Sequence, residues 1–146
     1  MKVEPEVYSI DDLERDGVYA WDGVRNYQAR NFMRDDMKVG DKVLFYASNA
    51  KPSGVVGLAT ISSEARADHT QFDTKSGYYD PKATKENPRW VLVDVSFEKK
   101  FSNLVALADI KEDPFFAEMH LVRPGSRLSI TPVEKRHYEK IVKLGK

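Results

Sequence analysis

The chain contains no cysteine, so disulfides and thiolate metal sites are excluded. No apolar run approaches the ~18 residues that a membrane span requires, which excludes a transmembrane helix and a membrane partner. Nothing resembling a basic-then-apolar leader opens the sequence, and the expectation is a cytoplasmic chain of bacterial type. An excess of one charge is also missing: 23 basic residues face 23 acidic ones. Proteins that grip nucleic acid chiefly through phosphates are usually strongly basic, so a nucleic-acid role here must rest on a local patch or pocket. The phosphate-binding glycine loop, the nucleophile elbow, the paired-histidine zinc helix and the calcium loop are all lacking. His69, His120 and His137 stand far apart without ligand spacing, so neither a metal nor another cofactor is expected.

What remains is the composition of one folded domain. The 146 residues are 41% hydrophobic and 11% aromatic. A chain of this length buries roughly 68–70% of its unfolded surface, enough for one core, and no repeat or long linker divides it.

Local signals give the elements. "SIDDL" offers Ser9 and Asp12 in capping-box register for a short helix ending near Gly17. A second helix is expected from about Asn26 to Arg34. "KVLFYA" reads as a strand buried on both faces, and "GVVGLATI" as its hairpin partner beyond Pro52-Ser53-Gly54. Residues 62–88 are polar and aperiodic, which marks a functional or disordered loop. "RWVLVDVSF" alternates as a strand should, with Val91, Val93, Val95 and Phe97 on one side. Asp113 and Pro114 should open a helix in "DPFFAEM". "SRLSI" reads as a short strand, and Thr131 with Glu134 as the capping box of a closing helix that presents Tyr138, Ile141 and Val142. The expected class is α+β, a small curved sheet or open barrel flanked by short helices.

The stretch "WDGVRNYQARNFMRDDMKVGDKVLFYASN" carries most of the chemistry. On a wheel, Asn26, Tyr27, Arg30, Asn31 and Arg34 fall within roughly 140° while Ala29, Phe32 and Met33 oppose them. Arginine forks suit phosphate oxygens and asparagine suits a base edge, although a solvated helix face would show the same pattern. Trp21 precedes this helix. A tryptophan packs into a core or stacks an unpaired base, and Tyr78, Tyr79 and Phe72 add rings on the polar loop.

Taken together, "EPEVYSIDDL", "WDGVRNYQARNFMR", "MKVGDKVLFYASN", "GVVG", "ADHTQFD", "YYDP", "NPRWVLVDV" and "GSRLSI" resemble the EVE domain family from Lys2 to Leu144. The resemblance implies a PUA-like barrel, related to the YTH domains that recognise methylated adenine in RNA. It implies a single domain over residues 1–146 that is a non-catalytic reader of a modified, flipped base in DNA or RNA, methylated or hydroxymethylated; the sequence does not fix the oligomeric state, and a monomer is the expectation. Matched to the family motifs, Trp21 would form one wall of the base slot, with Asn26, Tyr27 and Arg30 beside it. Ser48, Asn49, Tyr79, Arg127 and Ser129 would complete it, while Arg25, Arg34 and Lys38 would contact phosphates. Two departures stand out. Ala47 occupies a position where the family usually has histidine. Val3 replaces a serine, and the family's preceding apolar strand is absent, which would leave a bare sheet edge unless the start lies upstream or a partner covers it. Two rival readings are a hydrolase or RNA-modifying enzyme using Asp22, Asp73 or Asp80, and a protein-interaction module docking through its aromatic loop.

Overall fold

A computed structural model of the chain describes residues 1–124 and 128–146. The short strand β1 (Lys2–Val3) leads to helix α1 (Ile10–Asp16), whose N-terminus is closed by the Ser9–Asp12 capping box and whose C-terminus ends at Gly17, φ 79°. Strand β2 (Val18–Trp21) follows, then helix α2 (Tyr27–Asn31), which widens into a π-helical turn over Phe32–Asp36. Strands β3 (Lys42–Ala47) and β4 (Gly54–Ile61) form an antiparallel hairpin. A two-residue strand β5 (Arg66–Ala67) and a 3₁₀ turn (His69–Phe72) interrupt the long polar segment. Strand β6 (Val91–Ala106) is 16 residues long and runs into α3 (Leu107–Glu112); 3₁₀ turns at Pro114–Phe116 and His120–Val122 precede α4 (Lys135–Gly145).

The sheet order is β1-β3-β4-β6-β2, with β5 on β6. β1 runs parallel to β3 and the other pairs are antiparallel, so the mixed sheet curls into a half-barrel. β3 shows why its whole length is apolar. Val43 and Phe45 point into the barrel interior with Leu13, Trp21, Met33 and Val93. Leu44 and Tyr46 point outward to a second layer built on Ile110, Phe116 and Ile141. Each such buried side chain contributes about 1.5–3 kcal/mol. Where α1 meets the sheet, a Cβ on Gly57 would sit 2.7 Å from Ile10 Cδ1 and 2.5 Å from the Lys99 carbonyl, so only glycine lets the helix settle.

Several expectations need correction. The edge thought bare is bonded: Met1 donates to the Leu44 carbonyl, and the amides of Tyr46 and Ser48 donate to the carbonyls of Met1 and Val3. Of the two readings of residues 62–88, the disordered one is corrected: the segment holds β5 and a 3₁₀ turn, and the amides of Asp68 and Asp80 donate to the carbonyls of Trp90 and Gln71. Asp113 and Pro114 open a 3₁₀ turn rather than an α-helix, because the chain turns again at Ala117. α4 begins at Lys135 with no side-chain cap from Thr131. Leu128–Ile130 is not a strand, although the Ser129 carbonyl accepts from the Lys2 amide at 2.8 Å. No helix among the described residues is long and apolar enough to cross a membrane.

Candidate nucleic-acid interface

At the end of β2 the chain turns through Gly23 at φ 78°. A Cβ there would lie 2.7 Å from Tyr78 Cζ, so the absent side chain is what lets the Tyr78 ring rest on the backbone. The Gly23 amide donates to Asp68 Oδ2 at 2.8 Å, and Asp68 is fully buried. Its carboxylate also accepts from the Thr70 amide and hydroxyl and from Arg25 Nη1. Burial by itself pushes this carboxyl up, but the bonds from Thr70, Gly23 and Arg25 outweigh it and hold the pKa below the ordinary value.

Arg25 is the clamp of the cluster. Its Nε and Nη2 donate to the Tyr78 carbonyl, Nη2 also to Thr70 Oγ1, and Nη1 to the Val24 carbonyl and Asp68. Every guanidinium N–H is therefore engaged, so the expected phosphate role of Arg25 is corrected: it ties the β2–α2 turn to the long segment. Gln71, also buried, completes the tie. Its amide nitrogen donates to the carbonyls of Asp68 and Trp90 and its oxygen accepts from the amides of Arg89 and Trp90. The Trp90 indole N–H donates to Asp80 Oδ2 at 2.8 Å.

On this base stands an aromatic-cation stack. Tyr27, 47% exposed, lies on Trp90 with ring centroids 4.7 Å apart and planes 24° from parallel. The Arg30 guanidinium sits 4.6 Å from the Tyr27 centroid, held by Asn31 Oδ1 and by the Arg89 carbonyl. Asn26 caps α2 by accepting from the Ala29 amide, so its carbonyl oxygen is spent on the helix. Tyr78, whose ring centroid lies 5.3 Å from the Arg25 guanidinium, and its chain neighbour Tyr79 are both exposed.

Trp21 does not present a ring to solvent. It is 4% exposed and meets Tyr19 and Phe45 edge-on at 5.8 and 5.9 Å, in the barrel interior. The expectation that it forms an open wall is corrected, because Phe45 belongs to the buried core and Tyr19, half-buried, packs against that core. Ser48 and Asn49 lie elsewhere, at the far end of β3. There the Ser48 amide joins Val3, and the Asn49 side-chain amide donates to Glu4 Oε1. Ser129 lines a groove of about 280 Å³ beside β3, with Met1, Lys42, Val43 and Ile130. Arg127 lies outside the described residues. Arg34 forms a bidentate pair with its neighbour Asp35, which occupies its fork, whereas Lys38 is exposed with no ion pair among the described residues.

Of the aspartates suggested as acid or base, Asp73 accepts from the Lys75 amide in a turn and Asp80 serves Trp90 and the Lys82 amide. Asp22 differs: burial, then the nearby Asp68 charge, raises its pKa. Burial likewise pushes the Tyr19 phenol up to about 12. Among the described residues no group of three or more His, Asp or Glu side chains is placed to hold a metal. Sequence reasoning missed Asp68, Gln71 and Trp90. The Asp-His-Thr turn at Asp68 was a readable signal, but nothing in sequence spacing points from it to Gly23 or Arg25.

The family model for the EVE domain matches residues 1–144. The chain belongs to the EVE domain family. Thymocyte nuclear protein 1 of Danio rerio is 41% identical, the match covering 99% of this chain and 70% of that protein. The human counterpart is 38% identical over 99% and 72%. Among solved structures, a Pseudomonas syringae protein superposes with a TM-score of 0.95 at 42% identity, covering 100% and 97% of the two chains. Human thymocyte nuclear protein 1, solved in complex with 5-methylcytosine-containing DNA, superposes with a TM-score of 0.91 at 37% identity, over 100% and 95%.

Proposed function

We propose that this EVE domain is a non-catalytic nucleic-acid-binding module that recognises a modified base, methylated or hydroxymethylated, presented out of the stack. The observation that carries the reading is similarity over the whole of this chain to the human protein solved with 5-methylcytosine-containing DNA. The Tyr27–Trp90–Arg30 stack supports it from this chain's own residues. A base laid on an exposed aromatic ring gains about 1–3 kcal/mol, which offsets the few kcal/mol that extrusion costs. Tyr27 and Tyr79 supply the rings, with Lys38 and the spare N–H groups of Arg30 directed to phosphate. Asn26, at the start of α2, stands at the rim of this stack; Ser48, Asn49 and Ser129 lie away from it and take no part in a base stacked on Tyr27, and Arg34 reaches phosphate only by exchanging Asp35 for it. Trp21 acts from beneath, as the packed support of the turn that carries Gly23.

Fluorescence anisotropy with matched duplexes carrying 5-methylcytosine, 5-hydroxymethylcytosine or unmodified cytosine, and with the corresponding RNA, tests the proposal. Tighter binding to a modified strand is expected. Indistinguishable affinity for modified and unmodified strands would remove the reader role, and turnover of a modified nucleoside would replace it with an enzyme.

A further inference from the structure

One carboxylate beside the aromatic surface is left uncommitted by the fold. Asp68 accepts from Gly23, Thr70 and Arg25, and Asp80 from the Trp90 indole and the Lys82 amide. Asp22, between Trp21 and Gly23, is half-buried, and among the described residues no neighbouring side chain donates a hydrogen bond to it. Burial and the nearby Asp68 charge make its ionisation costly, and the fold takes no bond in return. The charges of Asp22, Asp68 and Tyr78 all reach the half-buried Tyr19 phenol, which gathers these groups into one corner. There the exposed Tyr78 ring lies against the Gly23 backbone, one residue from Asp22. Arg25 joins this corner to the Tyr27 surface: its guanidinium is 5.3 Å from the ring centroids of both Tyr78 and Trp90, and Tyr27 is stacked on Trp90.

We propose, resting on the reader role, that Asp22 is the residue that fixes the identity of the base, by accepting a hydrogen from its exocyclic amino group. An ionised carboxylate accepts and never donates. The 4-amino group of cytosine and the 6-amino group of adenine can donate to it. Thymine and uracil turn a carbonyl oxygen to the same place, where two acceptors would face each other. 5-Methylcytosine and thymine carry the same methyl group on rings of the same size, so stacking and shape do not separate them; the amine does. Arg25 and Gln71 cannot read this edge, because their N–H groups are already engaged. No bond of the base is broken, and Asp22 serves as an acceptor alone.

Fluorescence anisotropy with single-stranded oligonucleotides that differ only in carrying 5-methylcytosine, cytosine or thymine at one position tests the assignment. Single strands remove the pairing differences that make a mismatched base easier to extrude. The wild-type protein is expected to bind the 5-methylcytosine strand about tenfold more tightly than the thymine strand, as one hydrogen bond to a charged group provides. Asp22→Asn, which has the same shape and can donate to a carbonyl oxygen, should erase or reverse that ratio. Asp22→Ala should bring it close to one. In both variants the 5-methylcytosine-to-cytosine ratio, which reports the methyl group, should persist. A carboxylate that is only hydrated would give variants with shifted melting and an unchanged 5-methylcytosine-to-thymine ratio. That result, or wild-type protein that binds the 5-methylcytosine and thymine strands alike, would overturn the assignment. A wild-type protein indifferent to the methyl group strikes the reader role instead, so the two readings fail separately.

Discussion

The two tryptophans of this chain are buried to nearly the same degree, 4% exposed for Trp21 and 6% for Trp90, yet they do different work. Trp21 meets other rings edge-on inside the barrel. Trp90 is anchored by its N–H to Asp80 and turns one face to Tyr27, which is itself open to solvent. Burial alone therefore says little about function. The nature of the partner decides: a ring covered by core hydrocarbon supports the fold, and a ring covered by an exposed tyrosine supports a surface.

The sharpest way to break this comparison is to empty the two positions that hold the regions together. Trp21→Ala should lower stability by about 3–5 kcal/mol in denaturant melts, with binding lost only in proportion to unfolding. A variant that melts like wild type yet fails to bind would return Trp21 to the ligand site. Asp68→Ala leaves Gly23, Thr70 and Arg25 donors without their buried acceptor and should cost about 3–5 kcal/mol. It should also loosen residues 62–90, visible as faster amide exchange there. Tyr27→Ala separates surface from core: weaker binding to the modified strand by about 1–3 kcal/mol, roughly 5- to 150-fold, with little change in melting.

The smallest effect is the most specific. Asp22 has a folded-state pKa raised above its unfolded value, so its ionisation costs more in the folded protein. That penalty is fully present above the folded pKa and disappears below the unfolded one. Asp22→Asn should therefore slightly stabilise the protein at neutral pH and have no such effect under acid conditions. A stability difference that persists unchanged at low pH would place the cause elsewhere.

Much of the architecture was legible because its signals are local. The Ser9–Asp12 capping box, the doubly buried β3 and the polar face of α2 each depend on neighbours a few residues away. The length of β6 was not. Its apolar alternation fades at Glu98, Lys99 and Lys100, and the strand continues because β4 stays bonded to it across two register shifts. A bulge moves every later side chain to the opposite face, which erases the period-two pattern. The site was only partly readable for a related reason. Tyr27 and Arg30 declare themselves on the helix wheel, but the clamp beneath them joins Gly23 and Arg25 to residues 43 to 45 positions away. Trp21 misled because an indole suits either environment equally well, and only its neighbours distinguish them.

The reach of β6 carries one more consequence. Its first half supplies Val93 and Val95 to the barrel interior, and its second half supplies Phe101 and Val105 to the layer under α4. A continuous ribbon shared by both halves gives neither a seam along which to come apart. Heating should produce one calorimetric transition, and the slowest-exchanging amides should cluster midway along this ribbon, where release requires the entire molecule to open.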